Sequence, residues 1–499
     1  VTFSSFENLA GAGGADSFKF PSGLGLTGSI DGGADVDVID YSQYSTGVSV
    51  NLATGVSTNI AGGISNIENA IGGQNDDSLT GSAVDNSLVG GLGSDVFFVT
   101  DGGDDTITGG MGTDTVNFSL ATGPITIDLD DAAAQTVRTG QTVELGAGGI
   151  ENFVGSTGAD QVTVSATVNH SVTGNGGSDT LVSNDNANNV WAISSDDTGT
   201  LEDTPASGTV VTFAGFANLT GNAGNDLFDL ADDASITGTI NGGLGTDTVD
   251  FADWDSGVSI DSGNLVSIET LVGGMADDTL VGGSGGTDFV VTGSNAGTAQ
   301  NVGSSDVLNF TDVENLAGAA GDDSFTFNAG GSLGSAVDGG AGANTLTFNN
   351  ATGDDDVMLT GVSSDVGYSG TSAVTNFANI TTLNGGGGQD TLTGLGVDAT
   401  WSIAANGTYT TGTAPNERVL NFSGFETVRG GSGADSFTIA EDLKMVVDGR
   451  GGVDSILVTN DTVEITGPIV ADGFSGTINR NVGNNRVDFD GINSVVRTS

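Results

Sequence analysis

The chain contains no cysteine, only five prolines and only nine basic residues among its 499 residues. The lack of cysteine excludes disulfide bridges and thiolate metal sites. Five prolines beside 85 glycines exclude collagen and proline-rich linkers. No apolar run reaches the length of about 18 residues that a transmembrane helix needs. We therefore expect a chain without disulfide staples and without a membrane span.

The shortage of basic residues leaves a formal net charge of −55 at pH 7, with 64 acidic residues against nine basic ones. Such a surface repels nucleic acid and anionic lipid, so neither is an expected partner. The acids are 53 aspartates and only 11 glutamates. Turns and hard-cation sites in tight loops favour aspartate, which indicates an architectural role for the acid. A hydrophobic fraction of 36%, with 23 phenylalanines, favours a folded chain over a disordered one.

Residues 72–117 form five glycine-containing units in a row, four of nine residues and one of ten. Each unit carries an acid or amide near its middle and an apolar residue two positions later. The pairs are Asp77 with Leu79, Asn86 with Leu88, Asp95 with Phe97, Asp105 with Ile107, and Asp114 with Val116. A turn of small and acidic residues followed by a short strand, when repeated, winds into a coil of parallel strands. Each unit then buries its apolar residue against its neighbours.

These units match the nonapeptide pattern GGxGxDxUx, closely at 90–97 and 109–116, with similar units at 242–251, 273–281, 282–289, 385–393 and 430–437. The tract therefore resembles the repeats-in-toxin (RTX) family, whose turns bind calcium. Carried over residue by residue, the resemblance implies Ca²⁺ at Asp77, Asp95, Asp105 and Asp114, and a poorer pair of positions at Asp278 and Asp288. The alternative is that these side chains only cap turns by accepting hydrogen bonds from backbone amides.

A second motif occurs in eight copies, the first of which is FENLAGAGGADSF at 6–18. Six of the eleven glutamates occupy one position in it, and the next residue is always Asn or Thr. A repeated amide or hydroxyl in a buried turn can form a ladder along the stack and satisfy backbone groups. We favour this structural turn ladder over a ligand site, and its members are Asn8, Asn69, Asn152, Asn218, Thr270, Asn315, Thr382 and Thr427.

A longer repeat contains both motifs: residues 1–50 align without gaps on residues 211–260. Trp191 and Trp401 stand at the same shift of 210, and each leads into a TFxGF or NFxGF segment. This repeat predicts one module at 1–210, a second at 211–417 and a partial third at 418–499. The third part is less acidic, with 11 acids against 7 bases. It is either a cap or an end at which molecules assemble.

The fold class that we expect is all-β. Segments such as 47–55 and 123–131 alternate apolar and polar residues, as strands with one buried face do, whereas 130–137 is interpreted as a loop or a single turn. The predicted architecture is a right-handed parallel β-solenoid, of the β-helix or β-roll type, with ladders of Phe, Leu, Ile and Val in its core. At about 4.8 Å between stacked strands it would be an elongated rod on the order of 100–130 Å long.

The sequence predicts a protein that is not an enzyme, because it contains no Ser-His-Asp set, HExxH motif or phosphate loop, and its only histidine, His170, lies in a strand-like stretch. We expect an extracellular structural or adhesive protein of the bacterial cell surface: a stalk, a surface-layer subunit or a filament subunit, secreted and stabilised by calcium. Its expected partners are other copies, bound head-to-tail or laterally, or the continuation of a longer chain, since the sequence opens within a repeat. The alternative is a calcium-binding secretion and folding module of a larger secreted enzyme or toxin, similar to polysaccharide lyases and epimerases.

Overall fold

The computed structural model describes residues 6–146, 149–203, 208–350, 353–364, 366–413, 415–439, 444–459, 462–465, 473–479 and 486–498. These residues form short β-strands and turns, with one 3₁₀ turn at Ser262–Asn264. None of the described residues belongs to a helix long and apolar enough to cross a membrane. The chain divides into two compact units, Val1–Thr248 and Val249–Ser499. The all-β class predicted from the sequence is confirmed.

The first unit contains the following strands, the last of which reaches across the unit boundary: β1 (Leu9–Ala10), β2 (Ser17–Pro21), β3 (Ile30–Asp31), β4 (Val38–Gln43), β5 (Ser49–Asn51), β6 (Val56–Ser57), β7 (Ile64–Ser65), β8 (Asn69–Ile71), β9 (Ser78–Thr80), β10 (Ser87–Leu92), β11 (Val96–Phe98), β12 (Asp105–Met111), β13 (Thr115–Asn117), β14 (Thr126–Asp128), β15 (Ala134–Arg138), β16 (Gln141–Leu145), β17 (Asn152–Val154), β18 (Gln161–Val164), β19 (His170–Thr173), β20 (Thr180–Ser183), β21 (Val190–Ser195), β22 (Thr198–Glu202), β23 (Val211–Ala214), β24 (Asn218–Thr220), β25 (Leu227–Leu230), β26 (Ile240–Asn241) and β27 (Thr248–Asp250).

The second unit contains β28 (Ser259–Asp261), β29 (Leu265–Val266), β30 (Thr270–Val272), β31 (Thr279–Val281), β32 (Thr287–Gly293), β33 (Ala296–Asn301), β34 (Leu308–Thr311), β35 (Asn315–Ala317), β36 (Ser324–Asn328), β37 (Ala336–Asp338), β38 (Thr345–Asn349), β39 (Asp356–Val362), β40 (Tyr368–Thr371), β41 (Asn376–Ile380), β42 (Thr382–Asn384), β43 (Thr391–Thr393), β44 (Ala399–Ile403), β45 (Gly407–Thr411), β46 (Arg418–Ser423), β47 (Thr427–Arg429), β48 (Asp435–Ile439), β49 (Met445–Asp448), β50 (Ser455–Thr459), β51 (Thr462–Ile465), β52 (Phe474–Asn479), β53 (Arg486–Ile492) and β54 (Ser494–Thr498).

In the first unit the chain passes back and forth between parallel sheets. Strands β8, β10 and β12 pair in parallel in one sheet, and the intervening strands β9, β11 and β13 pair in parallel in another. Each pass therefore adds one strand to each sheet. We call one such circuit a coil. The same alternation returns in β17 to β20, where β17 pairs with β19 and β18 pairs with β20.

Ladders of apolar side chains fill the space between the sheets. In one sheet of the first unit the consecutive register partners, all buried, are Val50, Leu79, Phe97, Val116, Phe153, Val172 and Phe213. Burial of one such side chain contributes about 1.5–3 kcal/mol. This register confirms the predicted Phe, Leu, Ile and Val ladders.

The sequence did not predict that antiparallel meanders interrupt the parallel coils. In the first unit β22 pairs antiparallel with both β21 and β23, while β23 pairs in parallel with β19 and β21 with β25. The second unit contains four meanders of the same kind, β32–β34, β39–β41, β44–β46 and β51–β53. They alternate between its two long sheets. Each adds two extra strands to its sheet, so alternation keeps the two sheets equal in length.

A glycine on the middle strand faces a phenylalanine on the third strand in each of these five meanders. The register partners are Gly199 with Phe213, Gly297 with Phe310, Gly370 with Phe377, Gly407 with Phe422, and Gly476 with Phe489. A Cβ on Gly407 would lie 2.4 Å from Cζ of Phe422. The ring thus covers the surface that the glycine leaves without a side chain.

The 210-residue shift relates two of the five meanders, β21–β23 and β44–β46. Trp191 on β21 stacks on Phe228 with ring centroids 5.6 Å apart, and Trp401 on β44 stacks on Phe437 at 5.7 Å. One interpretation from the sequence is wrong: within 130–137, residues from Ala134 onward belong to strand β15 rather than to a loop or a single turn. Polar residues such as Gln135 and Thr136 pair there with Val143 and Thr142 of β16, which supplies the strand that the apolar pattern does not reveal.

Candidate functional site: carboxylate columns between coils

The predicted acidic residues of 72–117 form a column that runs from coil to coil. The backbone N–H of Asp77 donates to Oδ1 of Asp95 at 2.7 Å, and that of Asp95 donates to Oδ1 of Asp114 at 2.8 Å. The N–H of Asp114 then donates to Oε2 of Glu151 at 2.7 Å. The three aspartates are at most 3% exposed. Each carboxylate therefore satisfies a buried amide of the preceding coil.

The same inner column recurs in other coils. Within each such column the backbone N–H of one residue donates to a side-chain oxygen of the next residue in the column. The columns, in donor-to-acceptor order, are Asp16, Asp37, Glu68; Asn86, Asp105; Asp160, Asp179; Asn189, Asp226, Asp247; Asp278, Glu314; Thr287, Asp323, Asn344; Asp355, Asp390, Glu426; and Asp435, Asp454, Asn493. Four of the six glutamates of the second motif thus accept the last amide of a column. The sequence marked their position but gave no role for it.

An outer column runs beside the inner one and points the other way. Asp76, one residue before Asp77, accepts the backbone N–H of Ser94 in the following coil at 2.8 Å. Equivalent bonds reach Asp85 from Asp104, Asp322 from Ala343, Asp354 from Gln389, and Asp398 from Ala434. Paired acids in the turns therefore join each coil to both of its neighbours, one carboxylate for each direction.

A glycine five residues earlier makes room for most of the inner carboxylates, whereas Asp105 and Asp355 follow Thr100 and Asn350 at that spacing. A Cβ on Gly90 would lie 2.1 Å from Oδ2 of Asp95 and 2.6 Å from the carbonyl oxygen of Gly109 in the next coil. The same crowding by a column carboxylate and a glycine carbonyl occurs at Gly11, Gly72, Gly109, Gly155, Gly174, Gly221, Gly318 and Gly430. The Gly-to-Asp spacing in the sequence is thus a steric requirement of the column.

Burial in the columns disfavours the ionised form of the carboxyl groups. In Asp95, Asp114, Asp179 and Asp226 the oxygen Oδ2 is buried and meets no hydrogen-bond donor among the described residues. Burial raises the pKa of Asp95 and of Asp226 to about 7 and that of Asp179 to about 6, against the opposing effect of the amide bonds.

The structure brings some of the predicted calcium residues together and separates others. Asp77, Asp95 and Asp114 share one inner column, whereas Asp105 lies in another column with Asn86. Asp278 accepts the backbone N–H of Val258 and donates its own to Glu314. Asp288 is exposed on β32 and accepts a hydrogen bond from Ser324 Oγ at 2.5 Å.

The Oδ1 atoms of Asp95 and Asp114 make the bonds to backbone amides that the turn-capping alternative describes. The described residues contain no group of three or more His, Asp or Glu side chains arranged to hold a metal ion. At Asp95, Oδ1 accepts a backbone amide, and Oδ2 is buried without a hydrogen-bond donor among the described residues. Calcium takes about six to eight oxygens. An ion beside Asp95 would take most of its ligands from water.

The residues of the predicted turn ladder lead strands and are mostly half-buried. All but Asn8 open a strand, and Asn8 directly precedes β1. Their amides bond to the adjacent coil: Asn8 Oδ1 accepts the N–H of Ser29 at 2.8 Å, and Asn218 Oδ1 accepts that of Thr239 at 3.0 Å. Among the described residues no hydrogen bond joins two of the eight predicted members.

The only histidine is buried at the start of β19. Nε2 of His170 lies 3.2 Å from Oδ1 of Asp130, and Nδ1 lies 3.2 Å from the carbonyl oxygen of Glu151. Both ring nitrogens are therefore engaged within the first unit, where they hold the end of β14 against the coil that contains β19.

No protein-family model and no curated protein matches this chain. The functional inference therefore rests on the geometry of the chain itself.

Proposed function

We propose that the chain is an extracellular structural or adhesive repeat protein, a stalk, surface-layer or filament subunit of a bacterial surface, built as a right-handed β-solenoid. The observation that carries this proposal is the use of the buried acids. Asp95 and its equivalents are occupied with hydrogen bonds between coils, and among the described residues no three acidic or histidine side chains are arranged to hold a metal ion. Chemistry spread evenly along a chain favours a mechanical role over a single reactive site.

The charge supports an environment rich in cations. A net charge of −55 makes the coils repel one another at low ionic strength. Salt or divalent cations screen that repulsion over about 10 Å at 0.1 M. A secreted protein in a salty or calcium-containing medium meets this requirement without basic residues of its own.

Calcium is part of the proposal through the oxygens that the columns leave without donors. Oδ2 of Asp95 and Oδ2 of Asp114 are the atoms of the RTX-like tract that could contribute to a site, together with the facing carbonyls of Gly109 and Gly149. A bound ion would supply positive charge between carboxylates of adjacent coils. Its effect would therefore be on stability.

Electron microscopy of the purified full chain tests the structural role. We expect ordered fibres or lattices when protein concentration and CaCl₂ are raised together, and dispersed particles after EDTA. MgCl₂ at equal ionic strength is the control for simple screening. Dispersed particles under every condition would contradict a subunit that assembles.

Thermal unfolding followed by circular dichroism tests calcium separately. We expect Ca²⁺ to raise the midpoint and Asp95→Asn with Asp114→Asn to remove most of that rise, since the amides keep the hydrogen-bond acceptors but lose the charges. Asp85→Asn, which alters an exposed acid of the outer column, is the matched control. An equal calcium-dependent rise of the midpoint in both variants would contradict calcium binding at the inner column.

A further inference from the structure

The first unit contains two copies of the same edge, and among the described residues only one of them is covered. Leu219 and Phe228, on β24 and β25, are fully buried beneath β20 and β21, where their register partners are Leu181 and Trp191. Their equivalents 210 residues earlier, Leu9 and Phe18 on β1 and β2, are only half-buried. We call β1 and β2 together the leading edge.

Backbone donors repeat this contrast. In the covered copy the N–H of Asn218 donates to the carbonyl of Asp179, and that of Leu227 donates to the carbonyl of Asn189, both at 2.9 Å. The equivalent amides belong to Asn8 and Ser17. Within the part of the chain that the structure describes, β1 pairs only with β3 and β2 only with β4, so both amides point to the open side.

The column carboxylate at the leading edge also lacks its donor. Asp226 accepts the backbone N–H of Asn189 on Oδ1 at 2.8 Å. Asp16 occupies the equivalent position and donates its own N–H to Asp37, as the column requires. Among the described residues no amide reaches the Asp16 carboxylate, and its Oδ2 is buried without a partner. The leading edge thus presents amides, a carboxylate and two apolar side chains in the pattern that β20 and β21 cover elsewhere.

The C-terminal part of the chain offers strands of matching direction and a less repulsive charge. β54 pairs in parallel with β50 and, within the described residues, with no strand beyond it. β51 runs parallel to β53, because each is antiparallel to β52. Seven of the nine basic residues lie in 418–499. The leading edge belongs to the part that holds 53 acids and two bases, so it meets less repulsion from residues 418–499, with 11 acids and seven bases, than from another acidic part of the chain.

We propose that the leading edge is a docking surface for the C-terminal edge of a second copy of this chain. β54 and β51 would extend the two sheets past β1 and β2, cover Leu9 and Phe18, and give Asp16 a backbone amide. Pro21 has no N–H and so confines the contact on β2 to the residues before it. This inference rests on the proposed structural function and names the junction that it would use.

Sedimentation of the full chain with one edge blocked at a time tests the junction. Ser17→Pro removes an outward N–H from β2, and Val495→Pro removes one from β54; neither N–H has a partner strand within the described residues. We expect the native chain to associate and each variant to sediment near the monomer mass of 49.2 kDa. A 1:1 mixture of the two variants retains one good edge of each kind, so its limiting mass is twice that value. Gly285→Ala, at a glycine with nothing within 4 Å of its Cβ position, is the control and associates like the native chain.

The failures of the two proposals are distinguishable. If either variant alone still forms large assemblies, or the mixture stays monomeric, docking at the leading edge is overturned, while a laterally assembling structural protein survives. If the native chain stays monomeric at every concentration and in calcium, docking at the leading edge is overturned together with the surface-layer and filament forms of the proposed function. Circular dichroism of each variant verifies that the mutation has not unfolded the protein.

Discussion

The backbone N–H of Asp77 donates to Oδ1 of Asp95 in the next coil at 2.7 Å. This bond satisfies a buried amide at the place where a turn becomes a strand. The turn is packed against other turns, so water cannot reach this amide and the protein must supply the acceptor. The bond also fixes the register of the two coils, since a shift by one residue would separate the pair and turn Leu79 away from Phe97.

Removal of the Asp95 carboxyl is expected to destabilise the first unit. Asp95→Ala leaves the amide of Asp77 buried and unpaired, which costs about 1–3 kcal/mol. Asp95→Asn keeps the acceptor and is expected to be close to neutral, because Asn344 and Asn493 accept the column amide on Oδ1 at equivalent positions. The midpoint of urea unfolding measures both, with Asp76→Ala on the exposed outer column as control. Equal loss in Asp95→Ala and Asp76→Ala would contradict the role of the inner column.

Gly90→Ala is expected to be among the more damaging single substitutions in the tract. The new Cβ would lie 2.1 Å from Oδ2 of Asp95, and relief of such overpacking costs about 1–3 kcal/mol. Gly123→Ala is the matched control, because nothing lies within 4 Å of its Cβ position. The thermal midpoint should fall for the first variant and stay within error for the second. If both variants unfold at the native temperature, Gly90 is not needed for space.

The fold should be more stable at pH 5 than at pH 8. Burial raises the pKa of Asp226 and of Asp435 to about 7, above the ordinary value of 3.8. The folded state therefore binds protons that the unfolded state releases. Its stabilising contribution is complete below about pH 4 and is lost as the pH rises through 7. The check is the urea midpoint at several pH values in 0.5 M NaCl, which screens the exposed charges.

The double variant Asp226→Asn with Asp435→Asn should flatten this pH profile. Asp76→Asn with Asp322→Asn removes the same charge from the outer column and should leave its slope nearly unchanged. A profile that flattens equally in both pairs would assign the pH dependence to net charge instead of to the buried carboxyls.

Gly407 and Phe422 should behave as a coupled pair. Gly407→Ala pushes a Cβ to within 2.4 Å of the Phe422 ring and should cost about 1–3 kcal/mol. In the presence of Phe422→Leu the same change should cost clearly less, because the ring no longer occupies that space. A double-mutant cycle on the unfolding midpoint measures the coupling. Additive effects would show that the glycine serves another purpose.

Much of the fold was predictable from local pattern. Leu79, Phe97 and Val116 follow their turns at a constant spacing, so their burial in one ladder follows from the repeat. The meanders were not predictable in this way. Their middle strands, such as β22 with Gly199, look like polar linkers, because the apolar surface that covers them is the Phe213 ring of a strand more than ten residues later.

The candidate site divides in the same manner. The sequence identified Asp77, Asp95 and Asp114 as one recurring set and predicted calcium there, which stays a prediction; the structure adds that Oδ1 of Asp95 and Oδ1 of Asp114 accept backbone amides. The sequence pattern alone cannot distinguish a calcium ligand from a turn-capping carboxylate, because a cation and a backbone N–H both attract carboxylate oxygen in a glycine-rich turn.

By itself, then, the sequence determined the parts that depend on neighbours along the chain: the repeating turn, the short strands, the apolar ladders and the acidic surface. Only the tertiary structure decided which atom each buried carboxylate meets and where the chain reverses direction to insert a meander. Those choices depend on contacts between residues some 18 to 40 positions apart, such as Asp77 with Asp95 or Asp454 with Asn493. Their geometry exists only once the coils have stacked.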